Sequence, residues 1–160
     1  MRSFVIRSFA ILALSIALLF SLSGCEEKAP EQASGIAVPS TDIDEEWKKF
    51  VEEVARTKKI KGKTKGIYLR FFGTMDDPTP HLKDTQRLFN QGVEPGSLLV
   101  FGSNNSRNMS DLLVTALGMQ YIDGKLAGSR LLFVGQREHE AAVRDASVKS
   151  GVSFEFYPTN

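Results

Sequence analysis

The sequence predicts an α/β fold: one small domain with a mostly parallel sheet of about four strands, flanked by helices. Three observations predict it. The runs Ile67-Tyr68-Leu69-Arg70-Phe71-Phe72-Gly73, Leu98-Leu99-Val100-Phe101-Gly102 and Leu131-Leu132-Phe133-Val134-Gly135 are short, apolar and stopped by glycine. The second and third are apolar at successive positions, as strands covered on both faces are. Each run is followed by a polar turn and then by apolar residues at helical spacing, and that alternation of strand and helix specifies parallel strands joined by right-handed crossovers.

Thr41-Asp42-Ile43-Asp44 opens the first helix, with Asp42 or Thr41 as cap and acids in the first turn. Ile43, Trp47, Phe50, Val51 and Val54 recur on one stripe that must be buried. A basic connector, Lys58 to Gly66, follows. Its Gly62-Lys63-Thr64 is similar to the tail of a phosphate-binding loop, but Thr57 stands where that loop needs glycine and the segment follows a helix, so no nucleotide site is expected.

Leu82, Leu88 and Phe89 mark the second helix. Met109, Leu112, Leu113, Ala116 and Leu117 mark the third, and Ala141, Ala142, Val143 and Val148 the fourth. Gly92, Gly118 and Gly151 stand where these helices should stop. Between the third helix and third strand, Tyr121-Ile122-Asp123-Gly124-Lys125-Leu126 predicts a small hairpin turning at Asp-Gly. Val152 to Tyr157 alternates apolar and polar residues, the pattern of a half-solvated edge strand, and Pro158 closes it.

The first 24 residues have the layout of a secretory signal: Arg2 and Arg7, then the apolar centre Phe9–Phe20, then small residues. Its 12 residues are too few to span a bilayer core, which takes about 20. The segment ends in Leu22-Ser23-Gly24-Cys25, and these four residues resemble the lipobox of bacterial lipoproteins. The resemblance implies a signal peptide over 1–24 that is removed and a mature chain that starts at a lipid-modified Cys25. Palmitate-type acylation would place it on a bilayer, since two or more chains anchor stably. In enteric bacteria an aspartate after the cysteine retains such proteins at the inner membrane. Glu26 stands there instead, which implies the periplasmic side of the outer membrane. The alternative for Cys25 is a free or buried thiol.

Residues 25–41 carry prolines, charge and small residues without apolar periodicity, and are expected to form a disordered or extended tether ahead of a globular domain over 42–160. Removing 24 of 160 residues leaves 136, enough for one core. Of the 20 Lys and Arg, Arg2 and Arg7 precede Cys25, leaving 18 against 19 acids, and no field for nucleic acid follows. Cys25 is the only cysteine, so no disulfide within the chain is expected, and His81 and His139 alone give no metal site.

Chemistry is expected at the carboxyl ends of the strands. The loop Gly102-Ser103-Asn104-Asn105-Ser106-Arg107-Asn108 is the richest. Its hydroxyls, helix-start amides and Arg107, with Arg137 from the following loop, would suit an anion or glycan. Ser, Asn and Gly are equally what a strand-to-helix turn uses to cap itself. Asp76 and Asp77 with His81 offer an acid–base set for a hydrolase, yet adjacent aspartates before Pro78 also form turns. No complete catalytic set and no cofactor motif is present. The function expected is therefore non-enzymatic: a membrane-anchored periplasmic lipoprotein that docks on an envelope or secretion component. Its partners would be the bilayer through acylated Cys25 and an envelope protein, with no nucleic acid or nucleotide. The alternative is a small-ligand module using Ser103, Asn104, Asn105, Ser106, Arg107 and Arg137.

Overall fold

A computed structural model describes residues 35–61, 64–73, 77–119 and 122–160. The signal segment, Cys25, Asp76 and Tyr121 lie outside the described residues. Strands β1 (Ile67–Phe72), β2 (Leu98–Ser103), β3 (Arg130–Gly135) and β4 (Ser153–Pro158) form one parallel sheet in the order β1-β2-β3-β4. The helices are α1 (Asp44–Lys61), α2 (Thr79–Gln91), α3 (Ser106–Leu117) and α4 (Glu140–Ser147). The α/β class, the four strands and the flanking helices are those the sequence predicts.

Alternation within each strand sorts the core into two layers. Leu99, Phe101, Leu131 and Phe133 point to the face covered by α2, α3 and α4, where Phe89, Met109, Leu113 and Val143 join them. Leu98, Val100, Leu132 and Val134 point to the other face, where Phe50, Val51, Val54 and Ala55 of α1 cover them. All three crossover helices lie on one face, which is what consecutive parallel strands joined in a single hand produce. Among the described residues that leaves α1 as the only helix on the opposite face.

Three features differ from the sequence reading. The predicted hairpin at 121–126 is a run of tight turns. Gly124 takes φ 71, as Asp-Gly allows, but Lys125 N–H bonds to Ile122 O and Ala127 N–H to Gly124 O, and no strand forms there. Ile122 and Leu126 are four apart and both fully buried, so the segment plugs the crossover-face core with a helical period. The second departure is Ile43, which is 53% exposed and outside the buried stripe that Phe50, Val51 and Val54 form. Instead Ile43 O accepts from Glu46 and Trp47 N–H, and Thr41 braces the entry by accepting the Trp47 indole N–H at its carbonyl (2.7 Å) and donating its hydroxyl to Glu46 (2.5 Å). The third is the upstream boundary: Ile36 and Val38, within the stretch expected to be a tether, pack against the α1-face core.

The basic stretch after residue 57 is partly helical, since α1 continues to Lys61. Lys58 pairs with Glu155 at 3.4 Å, and Lys65 with Glu94 at 3.0 Å. Arg130 reaches the same Glu155 at 2.9 Å and Thr64 Oγ1 at 2.5 Å. No helix among the described residues is long and apolar enough to cross a membrane.

Candidate functional site

Ile67, Leu98, Arg130 and Ser153 lie side by side across the sheet, so the strands finish together at one edge. The strand order never reverses, so the sheet has none of the crevices that reversed connections open. The edge carries a cleft of about 510 Å³ between the entry to α1 and the loops after β2 and β3. Asn104, Asn105, Ser106 and Arg107 line it, facing Gln136, Glu138 and His139, with Asp42 on the α1 side.

Four of the six residues singled out in the sequence therefore meet in one place. Ser103 sits behind them, 1% exposed, and Arg137 lines a separate cleft of about 410 Å³ with residues 35–38 and 157–160. Five of the six are held by internal hydrogen bonds. Ser103 Oγ accepts the Asn105 N–H at 2.9 Å, an ST-turn that bends the chain out of β2. Asn104 Nδ2 donates to Asp44 Oδ1 (2.7 Å) and Asp42 O (3.2 Å), tying the loop to α1. Asn105 caps α3, its Oδ1 accepting from Asn108 N–H at 3.1 Å. Ser106 Oγ accepts the Gln136 N–H at 2.8 Å and so joins α3 to the β3 exit. Arg137 gives its N–H to Asn160 Oδ1 (3.0 Å) and its Nε–H to Asn160 O (3.2 Å). Arg107 is exposed and is the one of the six with no hydrogen bond or ion pair among the described residues.

Two glycines make this packing possible. A methyl group at Gly73 would overlap the Asp44 carboxylate, and one at Gly135 would lie 2.5 Å from Ser106 Oγ. Glycine at the ends of β1 and β3 thus lets α1 and α3 close on the edge. Asp42 and Asp44 are the site residues that sequence reasoning missed. Their acids read as complements to the helix dipole, and nothing local to α1 signals Asn104, 60 residues downstream of Asp44.

Of the second set of candidates, Asp77 and His81 lie within the described residues. Asp77 Oδ1 accepts the Thr79 N–H at 2.8 Å, and its hydrogen bonds to Thr79 hold the exposed carboxyl below its ordinary value of 3.8. It is a turn former at the start of α2. His81 lies against Phe72, the rings tilted by 49° with centres 4.3 Å apart. His139 Nε2 is shielded from solvent and lies 3.2 Å from Glu138 Oε1, but without hydrogen-bonding geometry. His139 forms part of the cleft wall. Among the described residues no three His, Cys, Asp or Glu are grouped so as to hold a metal ion.

Carboxylates of Asp42 and Glu138 share the cleft with Arg107, so its field is mixed. Of the polar side chains on the cleft, those of Asn104, Asn105 and Ser106 are engaged in shaping the loops. Fold and edge together define a sequentially wound four-stranded α/β domain whose strand-end loops are stapled to its own helices. No family model, curated protein or solved structure matches this chain.

Asn105→Ala is expected to cost about 1 kcal/mol of stability, the usual worth of an N-cap side chain. Arg107→Ala changes stability by less than about 0.5 kcal/mol, as expected for a solvated surface position. Urea unfolding of both variants checks this, and equal, negligible losses would remove the capping assignment.

Proposed function

We propose that this chain is a bacterial envelope lipoprotein, held to a membrane by acylated Cys25, whose α/β domain acts non-enzymatically as an interaction module. The observation that carries the non-enzymatic reading is the engagement of Ser103, Asn104, Asn105, Ser106 and Arg137 in internal hydrogen bonds. Reacting groups must be available to a substrate and held near a general acid or base. Here the strand-end polar groups are already committed to joining α1, α3 and the β3 exit. What the domain offers a partner is surface. The anchor rests on Leu22-Ser23-Gly24-Cys25, and Glu26 supports an outer-membrane, periplasm-facing address.

Metabolic labelling with a fatty acid tests the anchor. Wild type takes up label and sediments with membranes, whereas Cys25→Ser does neither. A Cys25→Ser chain that stays labelled and membrane-bound would overturn the lipidation. The docking role is tested by cross-linking intact envelopes and recovering the chain: the same envelope protein is expected in every replicate and is lost with Cys25→Ser. Recovery of no reproducible envelope protein would overturn it.

A further inference from the structure

The two edges of the sheet are treated differently. β4 carries Glu155 in mid-strand, fixed by Arg130 and Lys58, and ends at Pro158, while Arg144 lies over the Phe154 ring at 5.0 Å. Mid-strand charge and proline are the usual protections of an exposed edge. β1, at the other end of the order, reads Ile67-Tyr68-Leu69-Arg70-Phe71-Phe72, rich in the residues that favour strand pairing. An open cleft of about 420 Å³ runs along Leu69 to Phe72, lined also by Lys48 of α1 and by His81 and Asp84 of α2. Helix α2 packs chiefly on α3 and leaves Tyr68 37% exposed.

Which main-chain groups of β1 face outward follows from the ladder. Gly66 O accepts the Leu98 N–H at 2.8 Å, so Gly66 turns toward β2. In a parallel pair alternate residues bond the same neighbour. Tyr68 and Arg70 therefore bond β2, and Ile67, Leu69 and Phe71 present N–H and C=O to the open side. Among the described residues nothing outside the sheet bonds them. The same three side chains lie on the α1 face, packed at the margin of its core. Arg70, on the opposite face, has a solvent-shielded Nε without a hydrogen-bond partner.

We propose that β1 pairs with β1 of a second copy of this chain, antiparallel about a two-fold axis through Leu69, so that two sheets become one of eight strands. Only this register satisfies the whole strand. Leu69 meets Leu69 and Ile67 meets Phe71, all three outward-facing residues become hydrogen-bonded pairs, and their apolar side chains adjoin on the α1 face. On the other face Tyr68 meets Arg70 in the closer, non-hydrogen-bonded pairing, which lays an aromatic ring against the guanidinium whose Nε is unpartnered. Moving the axis to Arg70 puts like charges directly opposite, which is unfavourable. A slip of odd parity sends the apolar residues to the wrong face. Self-complementarity of this kind is what an isologous interface requires. It selects a second copy over an unrelated peptide, and it does not depend on the anchor or on the docking reading.

The test is sedimentation equilibrium of the full chain in density-matched detergent, over a micromolar-to-millimolar series. Wild type is expected to rise from one chain mass to two. Tyr68→Lys, at an exposed position outside both core clusters, sets like charges opposite Arg70 twice over and weakens association about tenfold. Adding Arg70→Glu to Tyr68→Lys restores it, with circular dichroism to establish that the fold is retained. Independently, a photo-reactive phenylalanine analogue at position 68 should cross-link a second copy, with the adduct at residues 69–71. A wild type that stays one chain in mass throughout, a Tyr68→Lys variant that associates as wild type does, or an adduct mapping elsewhere overturns the proposal.

Discussion

Phe101→Ala is expected to remove about 3–5 kcal/mol from the folding free energy, the range for truncating a fully buried phenylalanine. The side chain is 0% exposed in the second of four strands, and it meets Phe89 edge to face with ring centres 5.8 Å apart. Deletion therefore forfeits burial and an aromatic pair, and it leaves a void between sheet and helices that neighbours on fixed strands cannot close. Native stability of a domain this size is roughly 5–15 kcal/mol, so a large fraction is at stake. The denaturant midpoint should fall with the slope unchanged, and the thermal midpoint should drop by more than about 10 °C. A loss under about 1 kcal/mol would mean that β2 does not lie at the centre of the crossover-face core.

Gly102→Val tests the opposite face by adding volume. A Cβ at Gly102 would lie 2.6 Å from Val51 Cγ2 and 3.3 Å from Val134 Cβ, and Val51 is fully buried on α1. Bulk at this point pushes α1 off the sheet, at a cost of about 1–3 kcal/mol for an overpacked core. Val51→Ala removes the atoms in the way, so the double variant should be more stable than the sum of the two single losses predicts, with a coupling of about 1 kcal/mol. Additive losses would show that α1 does not rest on Gly102.

Most of the architecture was legible because it is written in local patterns. The three glycine-stopped runs became β1, β2 and β3 within a residue or two, and the alternation from Val152 identified β4 as an edge. Asp123-Gly124 misled because a turn signal specifies a backbone reversal and says nothing of what its flanks do. Ile122 and Leu126 are spaced to bury together in a helical turn, and burial decided. The candidate site was legible only as a location. Ser103 and Asn105 spend themselves on neighbours two and three residues away, which the alternative capping reading anticipated. Asn104 and Ser106 bond across 60 and 30 residues to α1 and the β3 exit, partners that only the folded sheet brings near.

The uneven cover of the sheet has a mechanical consequence. Three helices interlock on one face, whereas among the described residues α1 is the one helix on the other, with Ile36 and Val38 lying ahead of it in the chain. Tension applied upstream of residue 35 meets those two side chains first and then the start of α1, at Thr41 and the Asp44–Asn104 bond. Such a load strips contacts in sequence, as a zip opens, and bares Val100, Leu132 and Val134 while the three-helix side stays shut. A pull at the amino-terminal side therefore loads the α1 face before it loads the three-helix face.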